Sequence, residues 1–279
     1  IYIKGKRKMY NVKVTEYLHD KEVVFYHKPI YKHEKDLSSA IIENNGTLYE
    51  IDKKDLFLYE DRNTKEEKER NAEKDMLHSL IVSRNRTKQK IYNYARSNKW
   101  EWFLTFTFNP QKVDSMDYDE VTVIMSDWLN YMFHCNKTDR LKYLIVPEKH
   151  KSGAWHFHGV FSGIDYQTWK LMFSGKYKDG EPIYNVQSFP YGFTTATAVN
   201  NTRAVAHYIC KYITKDLFDS LKNKKRYWVS RSCSSGKTTT LFLTKDELYI
   251  LIYSLGGDPD YQKSVATPYN DILYMQFNN

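Results

Sequence analysis

Two histidines stand two residues apart, His156 and His158 in "GAWHFHGVFSG", within a run that otherwise reads as a buried strand. Successive strand side chains point to opposite faces, so these imidazoles share one face, with Cα atoms about 7 Å apart. A satisfied core pair and a pair of metal ligands both fit that pattern. Glu148, in the preceding strand-like run "LKYLIVPEKH", favours the second. A hairpin would bring its carboxylate beside the imidazoles, and two His with one Glu suit a divalent ion with open coordination positions. Register decides whether they meet. A two-residue Ser152-Gly153 turn would pair Glu148 with Phe157 and send the carboxylate to the wrong face. An odd-numbered loop, or a bulge, is therefore expected, with Glu148 opposite His158 and His150 opposite His156. His150 is then a neighbour of the site and the alternative ligand.

The second constellation is "YICKYITK", Tyr-x-x-Lys written twice in tandem. On a helix Tyr208 and Tyr212 lie one turn apart on one face, and Lys211 and Lys215 form a second pair at the same spacing. A phenol is a poor nucleophile at neutral pH, but a metal that polarises a phosphate, with an ammonium nearby, makes its attack on phosphorus feasible. The plain alternative is an amphipathic helix with its tyrosines in the core.

A third feature suits a polyanion. From Met76 to Trp100 there is no acidic residue, while Arg84, Arg86, Lys88 and Lys90 accumulate beside Tyr92 and Tyr94 in "RNRTKQKIYNYARSNKW". A basic helix carrying aromatics can track phosphates and stack bases. A helix with Ile91, Tyr94 and Ala95 in the core and its cations merely wet fits equally. The whole chain has 42 Lys+Arg against 34 Asp+Glu and is 16% aromatic, led by 24 Tyr, a balance that suits a nucleic-acid partner.

These residues need elements to position them. "WFLTFTFNP" alternates Leu104, Phe106 and Phe108 on one face with Phe103, Thr105 and Thr107 on the other, and stops at Asn109-Pro110 as a central strand should. In "DYDEVTVIMSDWLNYMFHC" the apolar positions Val121, Ile124, Met125, Trp128 and Met132 recur at helical spacing. Helix-like "YQTWKLMF", strand-like "IYNVQSF" and "GFTTATAV", and the tyrosine helix follow. The expected fold is α+β, a central antiparallel sheet with flanking helices. Residues 1–75 read as a strand-rich extension ("YNVKVTEYL", "EVVFYHK", "TLYEIDKKDLFLYE") with a charged linker, "EDRNTKEEKERNAEKD". Residues 76–220 form the expected main domain, basic helix included. Residues 221–279 form a basic, partly helical extension containing "TKDELYILIYSL".

Other classes are disfavoured. Three widely spaced cysteines, Cys135, Cys210 and Cys233, make neither a disulfide framework nor a zinc site, which fits a reducing compartment. No apolar run approaches the roughly 20 residues that span a bilayer, and no signal peptide is present, so a cytoplasmic protein is expected. The missing initiator Met suggests a numbered chain that begins inside a longer one. "SRSCSSGKTTT" holds Gly236-Lys237-Thr238 of a phosphate loop, but Arg231 stands where its first glycine is required, so ATP binding is not expected.

Taken in order, "FLTFTF", then "HFH" with an upstream Glu, then helical "YxxKY" resembles the HUH endonucleases, the rolling-circle replication initiators of small phages, plasmids and single-stranded DNA viruses. The doubled tyrosine is most similar to two-tyrosine initiators of phages with circular single-stranded genomes. The resemblance covers roughly residues 80 to 230 and implies a ferredoxin- or RRM-like core. It implies Mg²⁺ or Mn²⁺ at His156, His158 and Glu148, and catalysis by Tyr208, Tyr212, Lys211 and Lys215. It also implies single-stranded or origin DNA as substrate, gripped by Arg84, Arg86, Lys88 and Lys90, and a separate helicase in a bacterial host. A transposase or relaxase with the same chemistry, or a non-catalytic nucleic-acid-binding domain, are the alternatives.

Overall fold

The computed structural model describes residues 8–32, 39–44, 47–52, 65–136, 141–214, 217, 220–221, 224–267 and 269–278. In chain order the elements are β1 (Lys8–Glu16), β2 (Asp20–Lys32), β3 (Ser39–Asn44), β4 (Thr47–Asp52) and helix α1 (Lys65–Arg96). Then come β5 (Trp102–Phe108), α2 (Tyr118–Cys135), β6 (Lys142–Lys149), β7 (Trp155–Ser162), α3 (Tyr166–Trp169), β8 (Leu171–Lys178), β9 (Glu181–Val186) and β10 (Gly192–Ala198). Helix α4 (Thr202–Ile209) continues into a 3-10 turn, Cys210–Tyr212, before β11 (Trp228–Val229), β12 (Lys237–Leu241), α5 (Lys245–Ser254), β13 (Tyr261–Ala266) and β14 (Asp271–Asn278). The class is α+β, as the sequence patterns predict. Among the described residues, no helix is long and apolar enough to cross a membrane.

The chain divides into two compact units, residues 80–236 and residues 1–79 with 237–279. In the first, a seven-stranded antiparallel sheet runs β11-β6-β7-β5-β10-β9-β8. Its centre follows from the alternation of β5: Trp102, Leu104, Phe106 and Phe108 are buried, and Phe103, Thr105 and Thr107 between them look to the other face. Helix α2 starts at Asp117, whose side chain accepts from the Asp119 and Glu120 amides, with acids in the first turn where the helix dipole favours them. Its buried stripe is Val121, Met125, Trp128, Leu129 and Met132. The Trp128 ring lies 5.3 Å from Phe106, 5.3 Å from Phe189 and 5.2 Å from Trp169, so aromatic edges and faces build this layer. Ile124 packs at its margin. The helix expected over "YQTWKLMF" stops at Trp169, where Lys170 turns left-handed at φ 51°, and Leu171, Met172 and Phe173 begin β8.

The second unit joins sequence ends that were expected to be separate extensions. Strand β1 pairs with β12 and β2 with β14, giving a five-stranded antiparallel sheet ordered β12-β1-β2-β14-β13. The reason is burial. One face of the sheet carries Val12, Val14, Val23, Met275 and Phe277, and Leu248, Leu251 and Ile252 of α5 pack against them. Asn11 seals the join: its Nδ2 donates to the Leu243 carbonyl at 2.7 Å, and its Oδ1 accepts from the Leu243 amide at 2.8 Å. Thr244 and Glu247 form a capping box that starts α5, the helix expected over "TKDELYILIYSL". Gly236-Lys237-Thr238 runs into strand β12 rather than opening a helix. The charged linker and the basic helix, expected apart, join in one helix over Lys65–Arg96; "DLFLYE" and residues 60–64 lie outside the described residues.

Gly192 marks the tightest backbone approach in the larger sheet. It pairs with Phe108, and a Cβ added there would sit 2.0 Å from the Thr107 carbonyl oxygen and 2.8 Å from the Phe108 Cα. Gly192→Ala should therefore destabilise the protein by about 1–3 kcal/mol, since the backbone of β5 must move. A urea titration with an unchanged midpoint would contradict this.

Candidate functional site

The site occupies the face of β5, β6 and β7 that carries Thr105 and Thr107 rather than the aromatic core. Strands β6 and β7 form a hairpin closed by the His150 amide donating to the Ala154 carbonyl at 2.8 Å. Three residues, Lys151, Ser152 and Gly153, make the loop, and Gly153 takes the left-handed region at φ 93° that such a loop requires. The loop is odd, so Glu148, His156 and His158 share a face. The pairing itself differs from expectation: Glu148 stands opposite His156 and Val146 opposite His158. The hairpin closes tighter than a His150–His156 pair would allow, because Gly153 supplies the turn early.

Glu148 still reaches His158, diagonally across the strands, with Oε2 2.7 Å from Nε2. His158 is buried, and Glu148 is half-buried. The hydrogen bond from His158 holds the Glu148 carboxyl below the usual glutamate range; burial opposes this, and the positive potential of His158, His156 and His150 adds to it. His156 is pushed below the ordinary histidine value, first by burial and then by His150 and His158, with Glu148 opposing. Neutral imidazole, the form that can bind a cation, is thereby favoured there. His150 stacks on His156 with ring centroids 5.3 Å apart. Beneath the histidines, Thr105 Oγ1 lies 3.2 Å from His158 Nδ1 and Thr107 Oγ1 3.3 Å from His156 Nδ1.

The tyrosines arrive from α4. Asn201 caps it by accepting from the Ala204 amide, and Val205, Ala206 and Ile209 bury its inner stripe. The helix tightens before its end, so Tyr212 belongs to a 3-10 turn rather than to a further α-turn as expected. The tyrosines nonetheless meet: their rings lie 5.6 Å apart, nearly perpendicular at 87°. Tyr212 stacks flat on His158, centroids 3.7 Å apart and planes 7° apart, and Tyr208 packs edgewise on Phe103 at 5.2 Å. Burial raises the Tyr212 phenol well above its ordinary range, and a hydrogen bond with Tyr208 and the charge of Glu148 raise it further. Lys211 is exposed, with Nζ 4.9 Å above the Tyr208 ring. Lys215 lies outside the described residues.

Arg84, Arg86, Lys88 and Lys90 stand on α1, not on this sheet face. Arg86, Lys88 and Lys90 are exposed and Arg84 half-buried, while Ile91 and Ala95 of the same helix are in the core, so α1 has both an apolar stripe and a wet basic face. It approaches the tyrosine helix through Tyr92, 5.1 Å from the His207 ring, and through the Lys88 carbonyl, 3.8 Å from Cys210 Sγ.

The donor chemistry fits a divalent cation: two imidazoles and one ionised carboxylate on one face, each imidazole engaged at Nδ1 by a hydroxyl. The present geometry does not gather them as ligands. His158 Nε2 is bonded to Glu148, and among the described residues no group of three or more His, Cys, Asp or Glu side chains is arranged to hold a metal. Thr105, Thr107 and Phe103 are the neighbours that motif reading passed over. Their alternation in "FLTFTF" was the available signal, because it placed them on one face.

Residues 101–217 match the model of a family of replication-associated proteins, the ORF2 and gene-2-protein type, in a segment that contains Glu148, both histidines and both tyrosines. That segment is similar to replication-associated proteins, which supports a replication-initiator character. No curated protein and no solved structure matches.

The lowered Glu148 carboxyl has a pH signature. A depressed folded-state value contributes stability that is full above the unfolded glutamate value and is lost as pH falls through the folded one. In metal-free protein, Glu148→Gln should remove part of the stability lost between about pH 5 and pH 3. Parallel urea-stability profiles for variant and wild type across that window would contradict the assignment.

Proposed function

We propose that this chain is a divalent-metal-dependent, site- and strand-specific DNA nickase and strand-joining enzyme that initiates rolling-circle replication. The observation that carries the reading is the meeting of Tyr208 and Tyr212 with His156, His158 and Glu148, with Tyr212 stacked at 3.7 Å on His158, inside the segment that matches replication-associated proteins. His156, His158 and Glu148 would hold Mg²⁺ or Mn²⁺. Such an ion, when bound, polarises a phosphate oxygen and stabilises charge that develops on phosphorus.

The chain's own groups supply the remaining parts. A tyrosine oxygen attacks phosphorus in line with the departing 3′ oxygen, giving a 5′-phosphotyrosine and a free 3′-OH that serves as primer. The raised phenol of Tyr212 means that it must lose its proton at the moment of attack rather than rest as phenolate. Lys211, over the Tyr208 ring, is placed to stabilise charge on phosphate or phenolate; Lys215 is assigned the same role. A second tyrosine lets the enzyme cut the regenerated site while the first still holds the strand, so circles close without hydrolysis. Arg84, Arg86, Lys88 and Lys90 supply phosphate contacts. Single-stranded or origin DNA is the substrate, a separate host helicase unwinds it without ATP bound here, and the bacterial cytoplasm is the setting.

The decisive experiment incubates the protein with labelled single-stranded oligonucleotides from its own replicon and Mn²⁺. A covalent adduct that survives SDS is expected, lost in His156→Ala with most DNA affinity kept. Binding with no adduct under any divalent ion would leave a non-catalytic nucleic-acid-binding domain.

If the tyrosines alternate, Tyr208→Phe and Tyr212→Phe should each still nick a short oligonucleotide yet release no closed circles, and the double variant should form no adduct. One single variant losing all adduct while the other matches wild type in both assays would make this a one-tyrosine enzyme.

Neutralising Arg84, Arg86, Lys88 and Lys90 should weaken binding to all sequences alike and reduce the salt slope by roughly one unit per lost contact. An unchanged slope would return the basic face of α1 to plain solvation.

A further inference from the structure

On the face of β5 that does not build the core, two hydroxyls stand in register with two imidazoles. Thr105 pairs with His158 and Thr107 with His156 across the β5–β7 ladder. Their Oγ1 atoms lie 3.2 Å and 3.3 Å from the Nδ1 atoms of the same partners. Each ring is thus engaged at Nδ1, which leaves Nε2 for the site; in His158 that atom already meets Glu148 Oε2 at 2.7 Å. Packing alone does not ask for this. Leu104, Phe106 and Phe108 supply the core face of β5, and valine would suit the same strand positions.

We propose that Thr105 and Thr107 are positioning residues whose hydroxyls hold both rings with Nε2 toward the site and let Nδ1 change from hydrogen-bond acceptor to donor when Nε2 takes a divalent cation. The inference rests on the metal reading above. Its physical basis is that a hydroxyl has one proton to give and two lone pairs to offer. In the metal-free site the ionised Glu148 can only accept, so His158 Nε2 carries the proton and Nδ1 accepts from the Thr105 hydroxyl. A neutral imidazole that binds a cation through Nε2 carries its proton on Nδ1 and needs an acceptor there. The same threonine oxygen provides it after its hydroxyl rotates. One proton leaves Nε2 and one arrives at Nδ1, both through water, so the ring stays neutral. A carbonyl or carboxylate beneath the ring could only accept, and would not serve the metal-free state.

The test uses the full chain and the variants Thr105→Val, Thr107→Val, Thr105→Ser and Thr107→Ser. Mn²⁺ binding is measured by calorimetry without DNA, and histidine tautomers are read from ¹⁵N spectra of wild type with and without diamagnetic Zn²⁺. The valine variants should bind Mn²⁺ about 10–100-fold more weakly, with the serine variants close to wild type. His158 should move its proton from Nε2 to Nδ1 when Zn²⁺ binds, a result that needs no variant to fold. Serine variants as impaired as the valines would mean that methyl packing, not the hydroxyl, sets the rings, and would overturn the proposal. So would wild-type Mn²⁺ affinity in the valine variants, or Zn²⁺-bound His158 with its proton still on Nε2. Wild type that binds neither ion sinks the metal reading itself, whereas wild type that binds with valine variants equal to it sinks the positioning role alone.

Discussion

The parity of one short loop governs the chemistry of this protein. With His150 bonded to Ala154 across Lys151, Ser152 and Gly153, every even-numbered residue of the β6–β7 hairpin lies on one face, and Glu148, His156 and His158 fall together. One residue more or fewer would turn the carboxylate into the aromatic layer beneath, where Phe157 touches Phe108 and Trp228, and would leave a buried charge without a partner. The sheet therefore separates two jobs cleanly. One face is filled by large aromatic and aliphatic side chains against α2, and the other presents imidazoles, hydroxyls and a carboxylate to the tyrosine helix.

That separation explains why the polar site can be half-buried without great cost. Each imidazole nitrogen or carboxylate oxygen drawn out of water needs a replacement partner. Here the partners come from β5 below, through Thr105 and Thr107, and from within the site, through the Glu148–His158 bond. Tyr212 then covers His158 with its ring, and Phe103 fills the space between His158 and Tyr208. The same covering that protects the site raises the Tyr212 phenol, so the arrangement stores a neutral nucleophile beside groups that can act on its proton and on a phosphate.

Much of this was legible in the sequence, and the misses have physical causes. Period-two alternation in "WFLTFTF" and helical spacing in α2 placed both layers, because burial of one face enforces those periods. The shared face of Glu148 and the histidines followed from parity. Their pairing did not, since two odd loops differing by two residues give the same faces, and only the glycine at φ 93° selects between them. "YICKYITK" gave the proximity of the tyrosines but not the 3-10 tightening at Cys210, a detail of how the helix ends. The union of β1 and β2 with β12 and β14 was invisible, because pairing between residues more than two hundred positions apart leaves no local period to read.

The two tyrosines come from the end of a helix, while the histidines and the glutamate come from strands, and this difference matters for the chemistry. Central strands hold their side chains through neighbours on both sides, so β7, flanked by β5 and β6, fixes the imidazoles from two ladders at once. A helix terminus has no such constraint: beyond Ile209 the backbone bonds shorten to the 3-10 pattern, and Tyr212 depends on its stack with His158 for its place. Tyr208, one turn earlier in regular helix, is held by Phe103 and by the buried stripe of α4. The two phenols are thus alike in chemistry and unlike in anchorage. An enzyme that must release one tyrosine's bond while the other's persists gains from that inequality, because the partner held only by stacking can leave and return without disturbing the residues that hold the phosphate.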